Sequence, residues 1–125
     1  PIEILTDVSR EMLVKLYRKA AIYWHATGFG VDETVNPEKV EHFGITTIEA
    51  MAAGCVPIVI NKGGQKEILG SELQDLLWNS ESECLDATKK IISEVSEYEK
   101  YQSISLERVK KFSKPVFEAT IWKMF

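Results

Sequence analysis

The chain has 125 residues, 45% hydrophobic and 27% charged, with a formal net charge of −4 and a pI near 5.2. That length fits one domain or a piece of one, the composition is that of a soluble globular chain, and the acidic balance argues against a nucleic-acid-binding module. Two cysteines are too few for a disulfide framework, no apolar run reaches the ~18 residues that span a bilayer, and PIEIL is no signal peptide, so a cytoplasmic location is the default expectation.

In chain order, Ile2, Ile4 and Leu5 suggest a brief strand closed by Thr6-Asp7. Ser9 stands ready to cap a helix, because Met12, Leu13, Leu16, Tyr17 and Ala20 follow it at helical spacing. The apolar run over 21–25 reads as a strand, and GFGVDETVNPEKV after it as a long exposed insertion, either a flap or a spacer. A helix is predicted from Gly44 to Ala53 with Gly54 as its C′ residue. VPIVI is a buried strand by its β-branched content, NKGG a turn, QKEIL a helical turn and LLWN a weak strand. The stripe Leu85, Thr88, Ile91, Ile92, Val95 marks an amphipathic helix, SISLERVKKF another, and Ser113 ahead of Lys114-Pro115 opens a last one. That last helix carries Phe117, Ile121, Trp122, Met124 and Phe125, a stripe apolar for a free terminus that on the isolated fragment would form an exposed patch promoting self-association.

The alternation predicts an α/β fold, a mostly parallel Rossmann-like sheet with helices on its faces and helices at its C-terminal end. About four strands are readable, near 2–5, 21–25, 56–60 and 76–78, whereas a doubly wound nucleotide-binding domain commonly has about six. The others are expected ahead of Pro1, which makes 1–125 a fragment of one domain.

The segment EHFGITTIEAMAAG, 41–54, carries the chemistry. Its helix is small or apolar except for Thr46, Thr47 and Glu49, so it is expected to be enclosed on most sides. Glu49 is its only charge, nearly on the face of Ile45, and needs either a basic neighbour or a hydroxyl-rich ligand. Phe43, Gly44 and Ile45 present amides at the positive end of the helix dipole, a geometry suited to phosphate, with Glu41 just ahead. Taken alone, each acid could equally be structural.

Taken together, the segment resembles the signature of family 4 glycosyltransferases, enzymes of the two-domain GT-B architecture. Glu41 and Glu49 have the spacing of their Glu-x7-Glu motif, Phe43-Gly44 follows the first acid, and Ala50-Met51-Ala52-Ala53-Gly54 follows the second. VPIVI with Gly63-Gly64 and Glu67 continues the likeness, which is close over residues 1 to about 80. The resemblance implies that Glu41 positions the donor sugar as the catalytic acid residue. The backbone of His42, Phe43, Gly44 and Ile45 would hold sugar and diphosphate, Glu49 the ribose hydroxyls, and the turn at Val8 and Ser9 the base. It further implies retention of configuration with no metal and no cofactor beyond the nucleotide-sugar substrate.

The family's diphosphate-binding Arg and Lys and its acceptor-binding N-terminal domain have no counterpart here. The fragment alone is therefore expected to be inactive, with membrane contact only through the rest of the enzyme. The alternative is a non-catalytic nucleotide- or phosphosugar-binding module. Lys62 and Lys66 read as solvated loop lysines, His25 as core or rim packing, Trp24, Trp78 and Trp122 as core or domain-contact residues, and Cys55 as a buried reduced thiol.

Overall fold

A computed structural model describes residues 1–124, and at 117, 120–122 and 124 the backbone alone. The helices are α1 (Arg10–Lys19), α2 (Ile45–Ala52), α3 (Gln65–Leu69), α4 (Glu81–Ser93), α5 (Val95–Val109) and α6 (Lys114–Met124); the strands are β1 (Ile22–His25), β2 (Val56–Ile60) and β3 (Leu77–Trp78). The strands form one three-stranded parallel sheet in the order β1-β2-β3, with Ile22 beside Val56, His25 beside Val59 and Ile60 beside Trp78. The expected α/β class is therefore present.

Every residue of β2 is buried, as befits a central strand covered on both faces. Pro57 is tolerated there for a local reason. The Val56 amide donates to Ala21 on the β1 side, so alternation turns the Pro57 nitrogen toward β3, whose pairing starts only at Val59. No ladder hydrogen bond is lost. Val56, Ile58, Val59 and Ile60 form one core with Met51 of α2, Ile68 and Leu69 of α3, Trp78, Ile91 of α4 and Tyr101 of α5.

Helix ends follow the sequence rules. Ser9 accepts from the Met12 amide at 3.1 Å, Ser80 accepts from the Glu83 amide at 3.2 Å, and Gly54, at φ 101°, follows the C-cap of α2. Arg108 of α5 closes the other end of α3 by donating to the Ile68 carbonyl at 2.5 Å and the Glu67 carbonyl at 2.6 Å.

Two expectations are corrected. Residues 2–5 form no strand, with Ile2 95% and Ile4 85% exposed, because no neighbouring strand supplies a ladder. The stripe from Leu85 to Val95 is broken at Glu94 between α4 and α5. Its Thr88 and Ile91 are buried while Leu85, Ile92 and Val95 are exposed. Trp78 is core, as expected, while Trp24 is 57% exposed and donates from Nε1 to Thr88 at 3.0 Å. The side chains of the apolar stripe on the last helix, Phe117, Ile121, Trp122, Met124 and Phe125, lie outside the described residues.

Candidate functional site

β1 ends at His25, and the chain returns at Glu41 just beyond that carboxyl end. The Gly64 amide, in the turn after β2, donates to the Glu41 carbonyl at 2.8 Å, and the His25 ring faces the Glu41 carboxylate. The segment therefore lies between the ends of two adjacent parallel strands, the usual place for a ligand in an open α/β sheet. Gly44 then turns the chain into α2 at φ 62°, ψ 34°, a left-handed conformation, and a Cβ there would run into Cδ1 of Ile68.

Glu41 is the cap of that turn. Its Oε1 accepts from the amides of Gly44 at 3.0 Å and Phe43 at 3.1 Å. These two bonds, Gly44 first, hold its carboxyl below the usual carboxylate range. This corrects the expected phosphate cradle: the amides of Phe43 and Gly44 are already taken, because an acid just ahead of a helix fills the anion position itself. Among the described hydrogen bonds, none takes the amides of Ile45 or Thr46. A depressed pKa stabilises the folded state above the unfolded-state value and loses that contribution as pH falls through the folded value. Acid unfolding followed by circular dichroism should thus begin at higher pH in the wild type than in Glu41→Gln, when each is compared with its own neutral-pH stability. Parallel acid limbs would contradict this role.

Glu49 sits one turn on from Ile45, and α2 is less enclosed than expected. Thr47, Ala50 and Met51 face the core, whereas Ile45 is 62% exposed and Glu49 half-buried. The carboxylate pairs with Arg10 of α1, Nη1 to Oε1 at 2.6 Å, and Arg10 is 69% exposed. Its partner is therefore a surface side chain rather than an internal cation. Beside it, the Tyr23 hydroxyl bonds Thr46 Oγ1 at 2.8 Å.

The segment between β1 and α2 is largely exposed, as expected of an insertion, and it is also anchored. The Lys62 ammonium donates to the Gly28 carbonyl at 2.8 Å and to the Val31 carbonyl. Glu33 accepts from the Gly63 amide at 2.9 Å and pairs with Lys66 at 3.0 Å, and these contacts, the amide first, hold its carboxyl below the usual range. His42 Nε2–H donates to the Pro37 carbonyl at 2.8 Å. Lys62 is thus a tether and not a solvated loop lysine, whereas Lys66 stays exposed as expected while pairing with Glu33. Their positions gave no sign of this, because their partners lie across the fold.

The remaining expected residues are more loosely placed. Ser9 spends its hydroxyl as the α1 cap, and Val8 is 36% exposed; the Arg10–Glu49 pair draws the start of α1 toward α2. Phe43 is 76% exposed. Cys55 is buried and free, and desolvation raises its thiol pKa. Arg10, which pairs with Glu49, and Gln65, which bonds His25 beside Glu41, had not been singled out, and His25, read as core or rim packing, faces the Glu41 carboxylate. Two cavities lie elsewhere, one lined by Glu72, Arg108, Lys111 and Val116, another by Trp24, Phe29, Trp78 and Leu85. Glu41 and Glu49 line neither. Both are partly exposed, Glu41 by 31% and Glu49 by 23% of the side chain.

Residues 2–112 match the family model described as glycosyl transferases group 1. The chain belongs to that family. No curated protein and no solved structure matches it. As a group 1 glycosyltransferase domain it is a transferase of glycosyl groups, and its parallel sheet with flanking helices is consistent with a partial Rossmann-like GT-B domain. No helix among the described residues is long and apolar enough to cross a membrane.

Proposed function

We propose that residues 1–125 are the later part of the nucleotide-sugar-binding domain of a family 4 type glycosyltransferase, cytoplasmic, retaining and metal-independent. One observation carries the reading. Glu41 precedes the start of α2 and Glu49 lies within it, both partly exposed, and no described hydrogen bond takes the amides of Ile45 and Thr46 between them. A donor would place its sugar hydroxyls at Glu41, its diphosphate over those amides and the helix dipole, and its ribose at Glu49. Val8 and Ser9 would border the base, and the backbone of His42, Phe43 and Gly44 would shape the sugar site.

Two further observations support a domain completed by earlier strands and faced by an acceptor-binding domain. β1 is an edge strand whose Trp24 is 57% exposed, although parallel sheets are ordinarily covered. Glu41 and Glu49 keep part of their side chains exposed, as they would where a second domain supplies the other side. Lys62 is committed to loop carbonyls, so the cations that meet leaving-group charge would come from the absent part. The domain alone would then bind weakly and not turn over.

The test is calorimetric titration of the full enzyme with UDP-, GDP- and ADP-sugars. Glu49→Ala is expected to weaken the donor that binds by about 1.5–3 kcal/mol, as for hydrogen bonds to a charged group. Arg10→Ala should cost less than about 1 kcal/mol of folding stability, because the pair is exposed. Undiminished donor affinity in Glu49→Ala would remove this acid from the site.

A further inference from the structure

His25 is the third polar group at the Glu41 carboxylate, and its surroundings define more than packing. Its side chain is 11% exposed, and Nε2 lies 4.0 Å from Glu41 Oε2. On the other side of the ring, Nδ1 lies 3.2 Å from Nε2 of Gln65. Gln65 is wholly buried at the first position of α3, wedged beside Gly44, where a Cβ would come within 3.3 Å of its Oε1. A polar side chain held this deeply, with one end on the histidine, fixes the ring.

The tautomer follows from charge. An anionic carboxylate in front of Nε2 favours a proton on that nitrogen over a lone pair. Nδ1 is then the acceptor, and the Gln65 amide donates to it. Burial holds the His25 pKa below the ordinary histidine value and outweighs the opposing pull of Glu41, which keeps the ring neutral near pH 7. The site therefore presents a donor, His25 Nε2–H, and an acceptor, Glu41 Oε2, too far apart to bond each other. Two hydrogen bonds of about 2.8 Å meeting on one oxygen at roughly a right angle span about 4 Å. The atom that fits must accept from one side and donate to the other. A hydroxyl does both; a phosphate oxygen, ionised, lacks the proton for Glu41 and would be repelled by it.

We propose that His25 Nε2 and Glu41 Oε2 form a two-point subsite for one hydroxyl of the transferred sugar, with Gln65 as the residue that orients His25. The subsite rests on the donor-site reading above and adds a specificity determinant to it. Sugars lacking a hydroxyl at that carbon, or carrying it inverted, leave both groups unpaired and are discriminated against.

The experiment has two parts. Nitrogen-15 spectra of the full enzyme, with His25 assigned by its loss in His25→Phe, should show the neutral Nε2–H tautomer; an Nδ1–H tautomer overturns the subsite without reference to any ligand. Next, His25→Phe, which keeps the ring and removes the donor, is titrated with UDP-glucose, GDP-mannose and ADP-glucose and with UDP, GDP and ADP alone, after thermal unfolding has shown it folded. The expected result is about tenfold weaker binding of the nucleotide sugar that the wild type prefers, with affinity for its free diphosphate within twofold of wild type. Gln65→Leu should give a smaller loss of the same selectivity, and it serves as the second variant should His25→Phe not fold. An equal loss for sugar and diphosphate, or no loss for either, overturns the subsite while leaving the donor site standing. Failure of the wild type to bind any nucleotide sugar overturns both.

Discussion

Gly64→Ala should lower the melting temperature by roughly ten degrees or more, a loss of about 3 kcal/mol. The backbone there is ordinary, φ −71° and ψ −10°, so no conformational strain is involved and space alone decides. A Cβ on Gly64 would meet the carbonyl oxygen of His42 and lie 2.8 Å from its carbon and 3.4 Å from the Phe43 nitrogen. These are backbone atoms and cannot swing aside as a side chain would. Relief requires the 41–43 segment to move off the turn, which breaks the 2.8 Å bond from the Gly64 amide to the Glu41 carbonyl and carries the Glu41 carboxylate with it. Gly30→Ala is the control. Gly30 has φ +74° with nothing within 4 Å of a Cβ, so only left-handed strain of about 1–2 kcal/mol applies. Differential scanning calorimetry of both variants decides the matter: a Gly64→Ala loss no greater than that of Gly30→Ala would mean that the strand-end segment yields freely.

Replacing Glu41 by glutamine is expected to reduce turnover of the full enzyme on the order of a hundredfold, while free nucleotide diphosphate binds within about fivefold of wild type. Glutamine keeps an acceptor for the Phe43 and Gly44 amides, so the start of α2 survives; alanine would in addition forfeit the cap, at about 1 kcal/mol of stability. In the proposed donor site, glutamine would remove a negative charge beside the reacting sugar, whose interaction would strengthen as positive charge develops there in the transition state. Steady-state rates set against diphosphate affinities separate the two effects. Equal losses in both would reduce Glu41 to a binding group.

Much of this was legible along the chain. The helix starts at Ser9 and after Ser113, the C′ glycine at position 54 and the buried run 56–60 stand where their local patterns put them. The spacing of Glu41 and Glu49 likewise placed them together on one helix and its approach. Where local reading failed, the missing information was a neighbour. Ile2, Ile4 and Leu5 have strand character but no strand beside them, and Thr88 and Leu85 share a stripe that the packing of α4 divides into buried and exposed.

The chain alone therefore determined the fold class, several element ends and the pair of acids, because capping, periodicity and turn chemistry act between residues a few positions apart. Which groups meet those acids was decided by tertiary structure. Arg10 reaches Glu49 across 39 positions, Gln65 sets His25 across 40, and Lys62 holds the loop at Gly28 across 34. Each contact depends on how β1 and β2 register and on which helix face turns inward, and no local pattern of residue types encodes that geometry.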